Sequence, residues 1–447
     1  LQQAGDWQDD TGGDHSGDYG SRSVGIIAST HDDFYFGTYD DAGNMLTNPA
    51  AFMETDGAKK FLNFNEDGFA GIAEGGKYYT RDFDGKTAYR VIYRPNMIHP
   101  LVAFSTTCVG YAVDFFDTTL GAPKPLPASD QIWPIKAVFN SLGVIGLLIF
   151  MVSFTLVLLD TPVFSALRSG EIVQPAPVQD SEAKAWYWVL LIIGAVFSGA
   201  SFLFCMNTVY SKTTNFFVQT GPLTIGTWAA LCGVFAIFCS AVFYGAYGKK
   251  HGWSARRAGL YLNLEQLWKT IALAVIVIVV SFGLVFAAHY FFQVDYRMYV
   301  VAFKTFGADK VLIALRYLPF FLLFYVMNSI SANCFNYNTI GGKNGNILIF
   351  AFFNALGAIF VVASQYIYFY ATGYQLYGLT EGQRIGPIWL FPCMVLLFVT
   401  PIMSRIIYKR TRNPYIAGLI NAMFIVMISC SNTTTILGGG ELIATTF

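Results

Sequence analysis

Apolar residues follow two patterns along this chain. Up to about residue 130 they come in short runs broken by Gly, Asp and Asn; beyond it they form long unbroken stretches. A helix that crosses a bilayer needs about 20 apolar residues. Eight stretches qualify: 137–159, 186–207, 221–245, 270–292, 311–331, 347–371, 386–408 and 414–431. Trp186, Tyr187, Trp188, Trp228, Trp253, Trp268 and Trp389 stand near their ends or in adjoining loops, where amphipathic rings favour the membrane–water interface. The pattern predicts two domains. Residues 131–447 form an all-α polytopic membrane domain of about eight spans, and residues 1–130 form a separate, partly α/β domain.

The front pattern is finer. Val24 to Ser29 reads as a short buried strand and runs into Thr30-His31-Asp32-Asp33. Residues 40–88 read as an insertion with a short helix at 49–61 and Gly-rich turns. Tyr89 to Arg94 alternates as a second strand. Pro95 to Pro100 forms a loop containing His99, and a helix at 101–120 ends at Gly121 and Pro123. Side chains at the carboxyl ends of parallel strands gather at one rim of a sheet, where α/β folds collect their chemistry. On that ground Asp32 and Asp33 are candidate chemical groups, and His99 stands after the second strand, directly before the helix. The competing role for the same residues is local: the two Asp side chains cap a turn and His99 caps the helix.

Composition sharpens the division. Of 447 residues 54% are hydrophobic and only 13% charged, with mean hydropathy +0.47. An ordinary soluble domain carries about 25% charge, so a soluble globule, a disordered chain and a collagen-like chain are excluded. The 28 basic and 28 acidic residues are unevenly placed. Residues 1–130 hold 19 Asp+Glu against 9 Lys+Arg, and the rest of the chain holds the reverse. Lys and Arg concentrate in loops on the cytoplasmic side. With the front outside, the inner loops hold twelve of them (Arg168, Lys184, Lys249, Lys250, Arg256, Arg257, Lys269, Lys343, Arg405, Lys409, Arg410, Arg412) and the outer loops five. The expectation is a multi-pass protein of the cell membrane with residues 1–130 extracytoplasmic.

Strand and Asp32, strand and His99, then a helix resembles the C-terminal half of an α/β-hydrolase, in dienelactone-hydrolase-like or prolyl-oligopeptidase-like members. It also resembles bacterial proteins that fuse such a domain to a multi-span block. The resemblance covers residues 22–121 and implies a triad in the order Ser, Asp, His, with Asp32 as the catalytic acid, Asp33 as the alternative acid and His99 as the catalytic histidine. A Ser hydroxyl needs an imidazole to take its proton, and a carboxylate to orient that imidazole. The family's nucleophile, oxyanion loop and early strands precede the acid, so the resemblance places them ahead of Leu1, in a missing N-terminal part of the same protein. Gly13-Asp14-His15-Ser16-Gly17 is not a G-x-S-x-G elbow, and no apolar strand precedes it. The implied activity is that of a membrane-anchored extracytoplasmic serine hydrolase acting on an ester, peptide or lipid-linked substrate. The alternative is a transporter or sensory membrane module with a non-catalytic cap.

Seven cysteines in no CxxC or Cys/His pattern give neither a disulfide scaffold nor a zinc site. No metal and no cofactor are expected. The expected partners are the lipid bilayer and a small-molecule, peptide or lipid-linked substrate, not nucleic acid. Ionisable and amide side chains in spans mark functional candidates. His289, Asp295, Arg297 and Arg316 are read either as an outer polar site or as side chains snorkelling to the interface. Asn328 and Asn333, in an Asn-rich run reaching Asn338, are read as helix ties or as a polar site.

Overall fold

In the computed structural model, residues 16–40, 45–124, 126–178, 180–299, 301–378, 380–436 and 442–443 are described. The front begins with β1 (Val24–Ile27), β2 (Thr38–Tyr39) and β3 (Met45–Thr47). A 3₁₀ turn, Pro49–Glu54, capped by Asn48, leads into α1 (Asp56–Leu62), capped by Thr55. Then come β4 (Tyr79–Phe83), β5 (Lys86–Tyr93), α2 (His99–Val102) and α3 (Thr106–Leu120).

β1 pairs parallel with β5, and β4 pairs antiparallel with β5, giving the order β1-β5-β4. The two strand positions follow the sequence expectation, whereas β4 does not and makes the sheet mixed. Its turn is Asp84-Gly85, both at positive φ (50° and 81°), the conformation that two-residue hairpins require. The expected helix at 101–120 is two helices. Ser105 is extended, and its hydroxyl accepts from the Cys108 N–H, starting α3 afresh. His99 is therefore the first residue of α2 rather than a loop residue.

Alternation along β1 and β5 builds two apolar layers, one on each face of the sheet. Ile26 and Ile92 pack with Phe36, Phe52, Phe61 and Leu62. Ile27, Val91 and Tyr93 pack with Val102, Cys108 and Phe115. Arg90 lies buried beside the first layer, donating to the carbonyl oxygens of Gly20, Arg22 and Tyr89 with its guanidinium against the Phe61 and Phe64 rings.

Among the described residues eight long helices follow: α4 (Trp133–Leu159), α5 (Ser181–Thr208), α6 (Thr220–Phe243), α7 (Leu264–Phe292), α8 (Asp309–Ile330), α9 (Gly342–Thr372), α10 (Glu381–Thr411) and α11 (Pro414–Ser431). α6 and α8 continue as π turns at Tyr244–Gly248 and Ser331–Phe335. All eight are long and apolar enough to cross a membrane, so the chain is a multi-pass membrane protein, with the spans where the apolar runs predict them. α11 is the most enclosed and packs on α6, α7 and α8. Gly418 lets it approach α8 closely; a Cβ there would lie 2.8 Å from the Val326 Cα.

Two compact units emerge, and they do not break at residue 130. One is Leu1–Lys136 with Val362–Ile388; the other is Ala137–Val361 with Trp389–Phe447. The end of α9 and the start of α10 thus belong to the front unit. Six long helices, α4 to α9, separate the front strands from the α9–α10 loop. An even number of crossings returns that loop to the face from which the chain entered.

Candidate active site

The rim is built by pairing that outlasts the strands. Beyond β1 the Thr30 N–H donates to Pro95 O (2.9 Å), and His31 forms a parallel bridge with Ile98. Buried Ser29 clasps the two strand ends, its hydroxyl donating to Met97 O at 2.6 Å. Parallel pairing carried this far sets residue 32 beside residue 99.

There His99 Nδ1 lies 2.9 Å from Asp32 Oδ2. A carboxylate only accepts, so Nδ1 carries the hydrogen. Asp32 is fixed in turn: its Oδ1 accepts from the Phe34 N–H (3.0 Å) and the Tyr35 N–H (2.6 Å), and its side chain is fully buried. The Tyr35 ring packs against the imidazole at 5.1 Å. His99 keeps 24% of its side chain exposed. Burial works against a charged ring, but the Asp32 hydrogen bond and the charges of Asp32 and Asp33 outweigh it and raise the His99 pKa.

Asp33 bonds the backbone of His99 instead. Its Oδ1 accepts from the His99 backbone N–H (2.9 Å) and its Oδ2 from the Tyr366 hydroxyl (2.6 Å). Gln375 donates to its carbonyl oxygen. Burial pushes the Asp33 carboxyl up to about 6; the Tyr366 hydrogen bond opposes this and the Asp32 charge adds to it. The geometry thus separates the two candidate acids: Asp32 orients the imidazole, and Asp33 anchors the backbone of the same residue. Tyr366 and Gln375 escape sequence reasoning because more than 330 residues separate them from Asp33.

The remaining candidates fall elsewhere. His31 stacks on Tyr370 (4.4 Å). Gly13, Asp14 and His15 lie outside the described residues, and Ser16 opens a 3₁₀ turn, Ser16–Tyr19. In the bundle, Arg297 pairs with Asp295 (3.0 Å) and Arg316 donates to Phe216 O (3.0 Å). No hydrogen bond or ion pair joins either arginine to His289 among the described residues, so the outer polar candidates do not form one bonded cluster. Asn328 ties α8 to α9 through Asn354 (2.6 Å). Asn333 accepts from Arg405, which lies inside α10 and is buried rather than being a loop cation. Moving Arg405 out of the inner loops leaves the charge asymmetry at eleven against five. Searches of family models, curated proteins and solved structures find no match to this chain.

Proposed function

We propose that this chain is the C-terminal portion of a membrane-anchored extracytoplasmic serine hydrolase, in which Asp32 and His99 are the acid and base of a triad. The observation that carries the reading is the 2.9 Å bond between a buried carboxylate and a part-exposed imidazole, at the carboxyl ends of two parallel strands. With Nδ1 committed to Asp32, Nε2 is the ring atom assigned to take a proton from a Ser hydroxyl and return it to a leaving group. Asp32 holds the tautomer and stabilises the imidazolium; Asp33 fixes the backbone on which the ring is mounted. The Ser comes from residues ahead of Leu1, and the substrate is an ester, a peptide or a lipid-linked molecule.

The test is labelling of the protein expressed from its own gene with a fluorophosphonate probe. The expected adduct maps to a Ser upstream of Leu1, and His99→Ala slows its formation at least about a hundredfold. Labelling unaffected by His99→Ala, or labelling at Ser16, overturns the reading.

The excess of loop Lys and Arg supports a front outside the cytoplasm. In a cysteine-free background, an impermeant thiol reagent added to intact cells should label Glu54→Cys and spare Lys250→Cys. The reverse pattern would place the front inside.

A further inference from the structure

Arg405 is 2% exposed inside a membrane-spanning helix. Its Nε donates to Asn333 Oδ1 (2.8 Å), its Nη1 to Asn346 Oδ1 (2.9 Å) and its Nη2 to Ala332 O. These are three of its five N–H bonds, and every acceptor is neutral. Among the described residues no Asp or Glu lies within ion-pair distance of it. A second cation stands beside it: the Tyr337 ring contacts both the Arg405 guanidinium (3.9 Å) and the Lys409 ammonium (5.9 Å). Lys343 adds its field to that of Lys409. A buried guanidinium with a part-exposed ammonium beside it is costly to hold unless an anion joins them. Tyr187, 3% exposed and within electrostatic reach of Arg405, has a hydroxyl with no hydrogen-bond partner among the described residues. A buried hydroxyl left so is costly unless an acceptor arrives.

An apolar cleft of about 120 Å³ adjoins this cluster, walled by Leu191, Ala195, Phe235, Phe324, Phe350 and Phe353. Leu191 and Phe350 also pack with Tyr187 and Ala332, so the cleft and the cation cluster share a wall. An apolar cleft that shares a wall with two cations and an unpaired hydroxyl is complementary to an anionic amphiphile. We propose that the two form one site for an anionic phospholipid, with its phosphate against Arg405, Lys409 and Tyr187 and part of an acyl chain in the cleft. The lipid supplies the missing counter-charge and the acceptor for Tyr187.

The test is a lipid titration of the purified full chain in non-ionic detergent, read by native mass spectrometry. Phosphatidylglycerol should bind about tenfold more tightly than phosphatidylcholine with the same chains. Tyr187→Phe and Lys409→Gln should each weaken phosphatidylglycerol several-fold and leave phosphatidylcholine unchanged. Ala236→Trp, which fills the cleft, should weaken both lipids; Cys239→Phe serves if that variant does not elute as a folded species. Millimolar inorganic phosphate should compete poorly. Equal binding of the two lipids overturns the proposal, as does indifference to both Tyr187→Phe and Lys409→Gln. Full displacement by inorganic phosphate would assign the cluster to a free anion and also overturn it.

Discussion

Arg90 in the front unit and Arg405 in the bundle are each 2% exposed, and among the described residues neither is paired with a carboxylate. They differ in where their acceptors come from. Arg90 takes three backbone carbonyls, two of them from the irregular segment that precedes β1. In a bundle of long helices the carbonyls are consumed by the helices themselves. Arg405 therefore recruits side-chain amides, Asn333 and Asn346, and one carbonyl, Ala332 O, from the π turn at the end of α8. A π turn loosens the regular ladder, and here its wide bond runs from the Asn336 N–H to Ser331 O. A buried cation in a membrane bundle thus leaves a trace in sequence, a cluster of Asn near a broken helix. Asp33 offers a third solution. A carboxyl can take up a proton when burial opposes its charge, whereas an arginine cannot.

This comparison breaks first at Arg405. Arg405→Ala strands three buried acceptors and should cost about 3 kcal/mol, read as a lower thermal unfolding midpoint of the full chain in detergent. An unchanged midpoint would mean the amide cage does not stabilise the buried guanidinium.

Asp33 is next. Its folded pKa is raised to about 6 from a usual 3.8, so the folded state holds the proton more tightly than the unfolded state. The contribution of this group is complete below about pH 4, declines between about 4 and 6 and is flat above, a loss on the order of 3 kcal/mol. Asp33→Asn should remove that slope. Cys108 is buried in the front, and its labelling rate, compared between variant and parent at each pH, reports opening of that unit. A slope that persists in Asp33→Asn would assign it to another group.

Smallest is Arg90→Met, which keeps the apolar stem and returns loop carbonyls to within reach of water. It should cost about 1 kcal/mol by the same Cys108 assay. A loss as large as that of Arg405→Ala would erase the distinction between the two arginines.

How much of this was legible depended on range. The spans were, because 20 apolar residues in a row leave few alternatives. β1, β5 and the placement of Asp32 and His99 on one rim were legible from strand pattern and chain order. β4 announced itself only through Asp84-Gly85, a turn signal set in a polar stretch with no apolar alternation around it. The break before α3 was written in Ser105, a capping residue inside an otherwise helical pattern. Arg405 read as a loop cation because its solvation depends on Asn333 and Asn346, about 60–70 positions away. Tyr366 and Gln375 carry no local mark, since nothing in a span predicts which carboxyl its end will meet.

The return of the α9–α10 loop to the front unit constrains how this gene can change. Tyr366 reaches Asp33 only if the chain between Lys136 and Val362 ends on the face where it began. Loss or duplication of one helix in that interval would carry the loop to the opposite leaflet, beyond the reach of Asp33, whatever the fate of the helices themselves. Relatives with more or fewer spans in this interval should differ by hairpins, two helices at a time. Helices α10 and α11, which follow the loop, are under no such parity rule.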